Sequence, residues 1–361
     1  MDLLDLGMVS RRIKLKPNRA AERDLERTLF QLAGLYNWAV RKLYMDGKGG
    51  RFYRRWDFQA LIAEHGAKCG LNQHTMQEIV TRAWRAHHRR SNRQRPARMK
   101  GQRNRMNAIP VRSTRGSLRW QDRTHIRIPG LGIIKARPDP RFPVGTIKYG
   151  LVQRRAGAWY ITLMVDAAPD PIPLRPEAES VGIDFGFMTL ATLSTGEKIP
   201  HPREYQRLER RIGQADRGRN LRLRAKLHLG LANARRFRNH AISRNLLSRF
   251  PMLYLSRDDY TSMARRGFGK SVHSAAITHL ITMLRDKGRA GGRRVIEVPG
   301  RNSTRTCADC GCLTGPTGRA GLKVRVWTCE ACGATHDRDV NAAVFTARLG
   351  AVLAHEIVRE H

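Results

Sequence analysis

The chain has 361 residues, 41% of them hydrophobic, and carries 68 Lys and Arg against 30 Asp and Glu, a formal charge of +38. That length supports two or three domains with a sizeable core. The charge would repel itself in a compact state unless a polyanion stood beside it, so nucleic acid is the expected partner. No apolar run nears the roughly 18 residues of a membrane span, and Asp2 and Asp5 stand where a signal peptide would be basic, so no membrane partner is expected.

Residues 9–17 alternate and stop at Pro17, which predicts a strand. Leu25, Leu29, Leu32, Leu35, Tyr36, Val40 and Leu43 recur at helical spacing and predict a helix over 20–46, with further helices near 57–65 and 74–90. From Arg89 to Arg127, thirteen Lys or Arg meet one acid, Asp122, among proline, glycine and asparagine, which reads as a basic loop or linker. Short strands follow at 125–129, 131–136, 147–149 and 159–165. Strand 9–17 can join them in one barrel, with helices 20–90 as an insertion. Prolines from Pro169 to Pro176 mark a domain boundary.

Beyond it, strands are expected at 181–186 and 189–193. A long basic helical region covers 207–249, with Leu223, Leu227, Leu231 and Ala234 as a core stripe and an arginine-rich face toward nucleic acid. Strands at 252–256 and 294–298 flank a helix near 271–286.

Chemistry concentrates near the end. Cys307-x-x-Cys310 and Cys329-x-x-Cys332 have the spacing of two knuckles closing a four-thiolate zinc site. Cys312 is spare, His336 is a weaker alternative ligand, and Cys69 reads as a small buried hydrophobe. Asp184 ends an apolar strand, Asp258 follows another, and Asp339 precedes a helix-forming run. Three carboxylates so placed can converge on Mg²⁺ or Mn²⁺, which suit hard oxygen ligands and phosphodiester hydrolysis with two ions.

These segments resemble the TnpB family, insertion-sequence proteins related to type V CRISPR effectors. The likeness rests on Leu35-Tyr36-Asn37-Trp38-Ala39, Pro96-Ala97-Arg98-Met99-Lys100, Trp159-Tyr160, Gly182-Ile183-Asp184-Phe185-Gly186, and Ala232 to Arg236 with His240 and Ser243. It continues through Ser303 to Gly311 and the run Asp337-Arg338-Asp339-Val340-Asn341-Ala342-Ala343. The resemblance implies a multidomain α+β protein: a β-barrel wedge domain with an inserted helical domain, then an RNase H-like (RuvC) α/β domain with an inserted zinc ribbon. Its segments would be wedge 1–18 and 105–172, helical insertion and basic linker 19–104, nuclease domain 173–304 and 334–361, and ribbon 305–333.

It also implies an RNA-guided DNA endonuclease in the bacterial or archaeal cytoplasm, at the nucleoid. Its partners would be a guide RNA from the element and double-stranded target DNA bearing a short adjacent motif. Tyr36, Asn37, Arg98, Lys100, Arg224, Asn233, Arg235, Arg236 and His240 would contact nucleic acid. One motif departs from the family: Asp258-Asp259-Tyr260 stands where Glu-Asp-Leu is usual. The second acid is then Asp258, one methylene shorter than Glu. A shift by one residue would put Arg257 there, and Glu297 on a neighbouring strand could supply the acid instead. Loss of that acid would leave a cleavage-incompetent RNA-guided DNA-binding protein, a repressor.

Overall fold

In a computed structural model the described residues are 8–67, 71–89, 96–101, 104–138, 146–167, 171–201, 203–259, 276–317, 321 and 323–359, with side chains of 63–67 and 357–359 left aside. The chain divides into two units, Met1–Pro169 and Asp170–His361.

In the first unit, β1 (Met8–Leu15) leads into helix α1 (Arg19–Lys48). The Asn18 side chain accepts the N–H of Ala21 and caps that helix. The predicted apolar residues from Leu25 to Leu43 all face inward. Helices α2 (Arg55–Ala67) and α3 (Gln73–His88) complete the insertion, and α1 and α2 both pack on α3. Strands β2 (Ala108–Arg112), β6 (Thr146–Arg155) and β7 (Ala158–Asp166) join β1 in an antiparallel sheet of order β1-β7-β6-β2. A second sheet holds β3 (Arg119–Asp122), β4 (His125–Ile128) and β5 (Gly132–Lys135). The two meet at the bridge between Leu15 and Ala136.

The basic stretch 89–127 is therefore not all loop. Ala108-Ile109-Pro110-Val111 is an apolar run with every residue buried, and pairing with β6 satisfies its backbone. Charge counting overlooked it because its arginines lie on either side. Residues 90–95, 102 and 103, and Cys69, lie outside the described residues.

The second unit is built on a five-stranded sheet of order β10-β9-β8-β11-β12, from β8 (Ser180–Phe185), β9 (Thr189–Leu193), β10 (Lys198–Pro200), β11 (Met252–Arg257) and β12 (Arg294–Pro299). β8, β9 and β10 run antiparallel, whereas β11 lies parallel to both β8 and β12. The two faces bury different partners. Val181, Ile183, Leu253 and Leu255 share a core with Leu246, Leu247, Leu280 and Leu284 of helices α5 (Leu221–Arg249) and α6 (Ile277–Ala290). Tyr254 and Val298 pack with Ala354 of the last helix, α7 (Arg338–Arg359).

Two helical expectations need correction. Region 207–249 is two helices: α4 (Glu204–Arg217) stops at Gly218, and Asn220 caps α5. The stripe at the start of α5 is not core. Leu223 and Ala234 are exposed and Leu227 is half-buried, while Leu231 is buried. Periodicity marks the apolar side of a helix but not what covers it, and burial in α5 deepens only from Asn239 onward. The helix expected near 271–286 runs from Ile277 to Ala290, and residues 271–275 lie outside the described set.

Candidate active site and metal centre

Strand alternation decides which acids meet. Gly182 pairs with Tyr254, and Ile183 with Leu255 and, through it, Glu297. Side chains on a strand alternate between faces. Asp184, Ser256 and, one residue past β11, Asp258 therefore share the face covered by α7. The approach of α7 is unusually close. A Cβ on Gly182 would collide with the Ala343 carbonyl oxygen, and one on Gly350 with the Tyr254 ring.

This docking brings the start of α7, and with it Asp339, to the end of β8. Asp337 fixes that start by accepting the N–H of Asp339 at 3.0 Å and of Val340 at 3.1 Å, while Lys198 donates to its other oxygen at 2.6 Å. Burial works against the Asp337 charge, but Lys198 and those N–H groups hold its carboxyl below the usual range.

The charges of Asp258 and Asp339 both act on Asp184, which makes this an acidic corner, although the three carboxylates do not all come within 4.8 Å of one another. The Asp184 carboxyl is pushed up to about 7 by burial first, then by the negative charges of Asp258 and Asp339; a hydrogen bond from Ser256 and the charge of Arg338 offset only part of this. Burial also raises Asp258. Its side chain fits because residue 300 is glycine: a Cβ there would stand 2.6 Å from Asp258 Oδ1. Arg325 reaches Asp339 at 3.6 Å.

Glu297 stands apart from this face. It belongs to the opposite row of the sheet, beside Leu255, and pairs with Arg257 at 3.7 Å and Arg285 at 3.5 Å. Arg257, the shifted alternative, is likewise turned to Glu297. Register, which the sequence does not display, separates Asp258 from both. Tyr260 lies outside the described residues.

Four cysteine sulfurs form a second centre. Cys307 and Cys332 lie 3.7 Å apart, Cys310 and Cys329 3.6 Å apart, and all four sulfurs fall within 4.8 Å of one another. A tetrahedron with Zn–S bonds of about 2.3 Å has sulfur–sulfur edges of about 3.8 Å, so the spacing and the donor type fit zinc.

Each knuckle has the same build. The Gly311 N–H reaches Cys307 O at 2.9 Å, and the Gly333 N–H reaches Cys329 O at 2.8 Å. Both glycines have positive φ, 79° and 72°, where a side chain would strain the turn. The Thr314 hydroxyl donates to Cys329 at 3.1 Å and holds that thiol down to about 6. Cys312 contributes its carbonyl, which accepts the Cys307 N–H. His336 Nε2 lies 3.0 Å from Cys307 Sγ.

Among the expected nucleic-acid contacts, Asn37 is occupied within the protein. Its amide donates to Lys100 O at 2.9 Å and accepts the Lys100 N–H at 2.6 Å. Lys100 Nζ sits 5.3 Å from the centre of the Tyr36 ring, and Arg98 is exposed beside it. Arg224 pairs with Asp216 at 3.0 Å. Asn233 and His240 are exposed on α5, with Arg235 and Arg236 half-buried between them. Ser256, Asn341, Gly300 and Thr314 were missed in the sequence. Ser256 closing an apolar strand and Asn341 opening an apolar helix were the signals that could have found two of them.

The Cas12f1-like, TNB domain family model matches residues 278–345. A Streptomyces pristinaespiralis protein named "Putative RNA-guided DNA endonuclease" is 33% identical over 203 residues, covering 52% of this chain and 49% of that protein. "Putative RNA-guided DNA endonuclease InsQ" of Escherichia coli is 24% identical over 251 residues, covering 62% and 61%. The chain thus spans about half to three-fifths of the length of these relatives. One chain of a solved Cas12f1–sgRNA–target DNA complex aligns with 95% of this chain and 98% of its own, at 16% identity and a TM-score of 0.33. The matched family model over residues 278–345 and these curated relatives make the chain similar to Cas12f1-like proteins and to proteins named as RNA-guided DNA endonucleases, in line with the motifs that resemble the TnpB family.

Proposed function

We propose that the protein is an RNA-guided DNA endonuclease whose cutting centre is the corner of Asp184, Asp258 and Asp339. What supports this reading is that Asp184 and Asp258 face the helix that carries Asp339, and that burial and both neighbouring charges push Asp184 up to about 7. Such crowding calls for cations, and the donors are hard oxygens that suit Mg²⁺ or Mn²⁺. When bound, these ions supply charge to the scissile phosphate and lower the pKa of a water nucleophile.

The protein's own part is positional. Ser256 orients Asp184, Gly300 makes room for Asp258, and Asp337 fixes the helix start that carries Asp339. On this reading the sheet and α7 form an RNase H-like domain around a zinc ribbon at 305–333. The first unit then acts as a wedge with a helical insertion. Base pairing with the guide would read the target, and basic residues would hold backbone phosphates and a short adjacent duplex motif.

The test is guided cleavage of a plasmid library with randomised flanks, in Mg²⁺ and then Mn²⁺. Asp184→Ala and Asp339→Ala should each abolish cutting while target binding persists. Wild-type protein that binds its guided target but cuts it in neither metal would leave the binding-only alternative.

A further inference from the structure

His336 lies beside the four cysteines, where with Cys307 and Asp309 it forms a second set of possible metal ligands. It lies on β14 (Thr335–Asp337), paired with Trp327 on β13 (Val326–Thr328). Its ring packs on the Trp327 indole with centroids 5.0 Å apart, and its side chain is 10% exposed. The Nε2 atom lies 3.0 Å from Cys307 Sγ and 4.0 Å from Asp309 Oδ2.

Two chemical roles, ligand and hydrogen-bond donor, suit a histidine nitrogen beside a metal-binding sulfur. Ligands sharing a tetrahedral zinc stand about 3.5 Å apart when one bond is Zn–S and the other Zn–N. The observed 3.0 Å lies within hydrogen-bonding reach of the sulfur, and the count of donors decides between the roles. The cysteine sulfurs already supply four donors at tetrahedral spacing, so the ion needs no fifth. Both groups facing Nε2, a thiolate and a carboxylate, are acceptors, which places the proton on Nε2.

We propose that His336 is a positioning residue of the metal centre, donating its Nε2–H to the Cys307 thiolate when the ion is bound. This rests on the zinc reading of the four cysteines. The donated proton draws density from the sulfur, stabilising it as a ligand and slowing its loss from the metal. Trp327 and Asp309 hold the ring in place.

The test uses the full chain loaded with Co²⁺, whose thiolate-to-metal charge-transfer band reports sulfur electron density, and with Zn²⁺ for release to a chelator. Wild-type protein should hold one ion in the ribbon with a four-thiolate spectrum. His336→Phe keeps the packing on Trp327 but lacks the donor. It should retain the ion, shift the band to lower energy and release zinc faster by on the order of tenfold. His336→Gln restores an N–H donor and should return both readouts toward wild type.

A three-thiolate, one-nitrogen spectrum in wild type would make His336 a ligand and overturn the proposal. So would unchanged band and release rate in His336→Phe, or a His336→Gln variant that behaves like His336→Phe with its ion in place. Should His336→Phe fail to fold, His336→Gln alone decides: its band and release rate must match wild type. Wild-type protein that binds no ion would overturn the zinc reading itself, an outcome separate from the others.

Discussion

Asn341 accepts the Ala308 N–H at 2.8 Å and donates to the Thr306 and Ser303 carbonyls at 2.8 and 3.3 Å. Its amide is buried, and it joins the first turn of α7 to the first cysteine knuckle. The metal centre and the acidic corner therefore share a mechanical link one turn long. Asn341→Ala leaves an N–H and two carbonyls without this partner, at about 2–3 kcal/mol. Thermal unfolding should show that loss. Metal release and guided cleavage should worsen together, an effect absent from a surface substitution such as Val352→Ala.

The acidic corner makes stability depend on pH in an uncommon direction. Asp184 holds its proton to about pH 7 in the folded chain, against an ordinary carboxyl value of 3.8. The folded state then binds more protons than the unfolded state between these values, so metal-free stability falls as pH rises from about 4 to 7. The change is on the order of a few kcal/mol. Asp184→Asn should flatten the profile, and Mg²⁺ should restore stability at pH 7.5. Denaturant unfolding at several pH values, with and without Mg²⁺, measures this.

Opposite faces of one sheet separate the two candidate second acids. Asp258→Ala should abolish cleavage, while Glu297→Ala should cut nearly as wild type and lose only its pairing with Arg257 and Arg285. The same plasmid assay reads both variants. Loss of cutting in Glu297→Ala with Asp258→Ala still active would reverse the assignment.

Glycine-to-alanine changes probe the same corner from behind. Gly300→Ala pushes a methyl toward Asp258 and should slow cleavage while leaving zinc content and folding largely intact. Gly182→Ala drives a methyl into the α7 backbone, where neither side yields, and should cost about 3 kcal/mol or more. Cleavage rates beside melting curves tell the two effects apart.

Zinc should be bound at about one ion per chain in the ribbon. Cys307→Ser and Cys329→Ser should release it and lower the stability of the second unit, because metal binding and local folding are coupled. Elemental analysis and unfolding before and after chelation test this.

Strand and helix positions were largely legible because burial imposes period 2 or 3.6 on residues such as Leu25 to Leu43 or Trp159 to Val165. The limits were equally physical. Leu223 and Ala234 have helical spacing without a neighbour to cover them, and no pattern within one helix reveals that. The choice between Asp258 and Glu297 hung on register between β11 and β12, a relation between segments far apart in the chain. Ala108 to Val111 was masked by the arginines around it. The cysteine spacing was explicit because two Cys-x-x-Cys pairs are read locally, whereas the links through Ser256 and Asn341 exist only after distant segments pack.

Asp184 and Asp339 are roughly 150 residues apart, and only the docking of α7 against Gly182 joins them, a long-range contact of the kind that forms slowly. During synthesis the basic surfaces of the first unit and of α5 leave the ribosome well before α7 does. On the proposed reading, the segments that would hold RNA therefore emerge before the helix that completes the acidic corner.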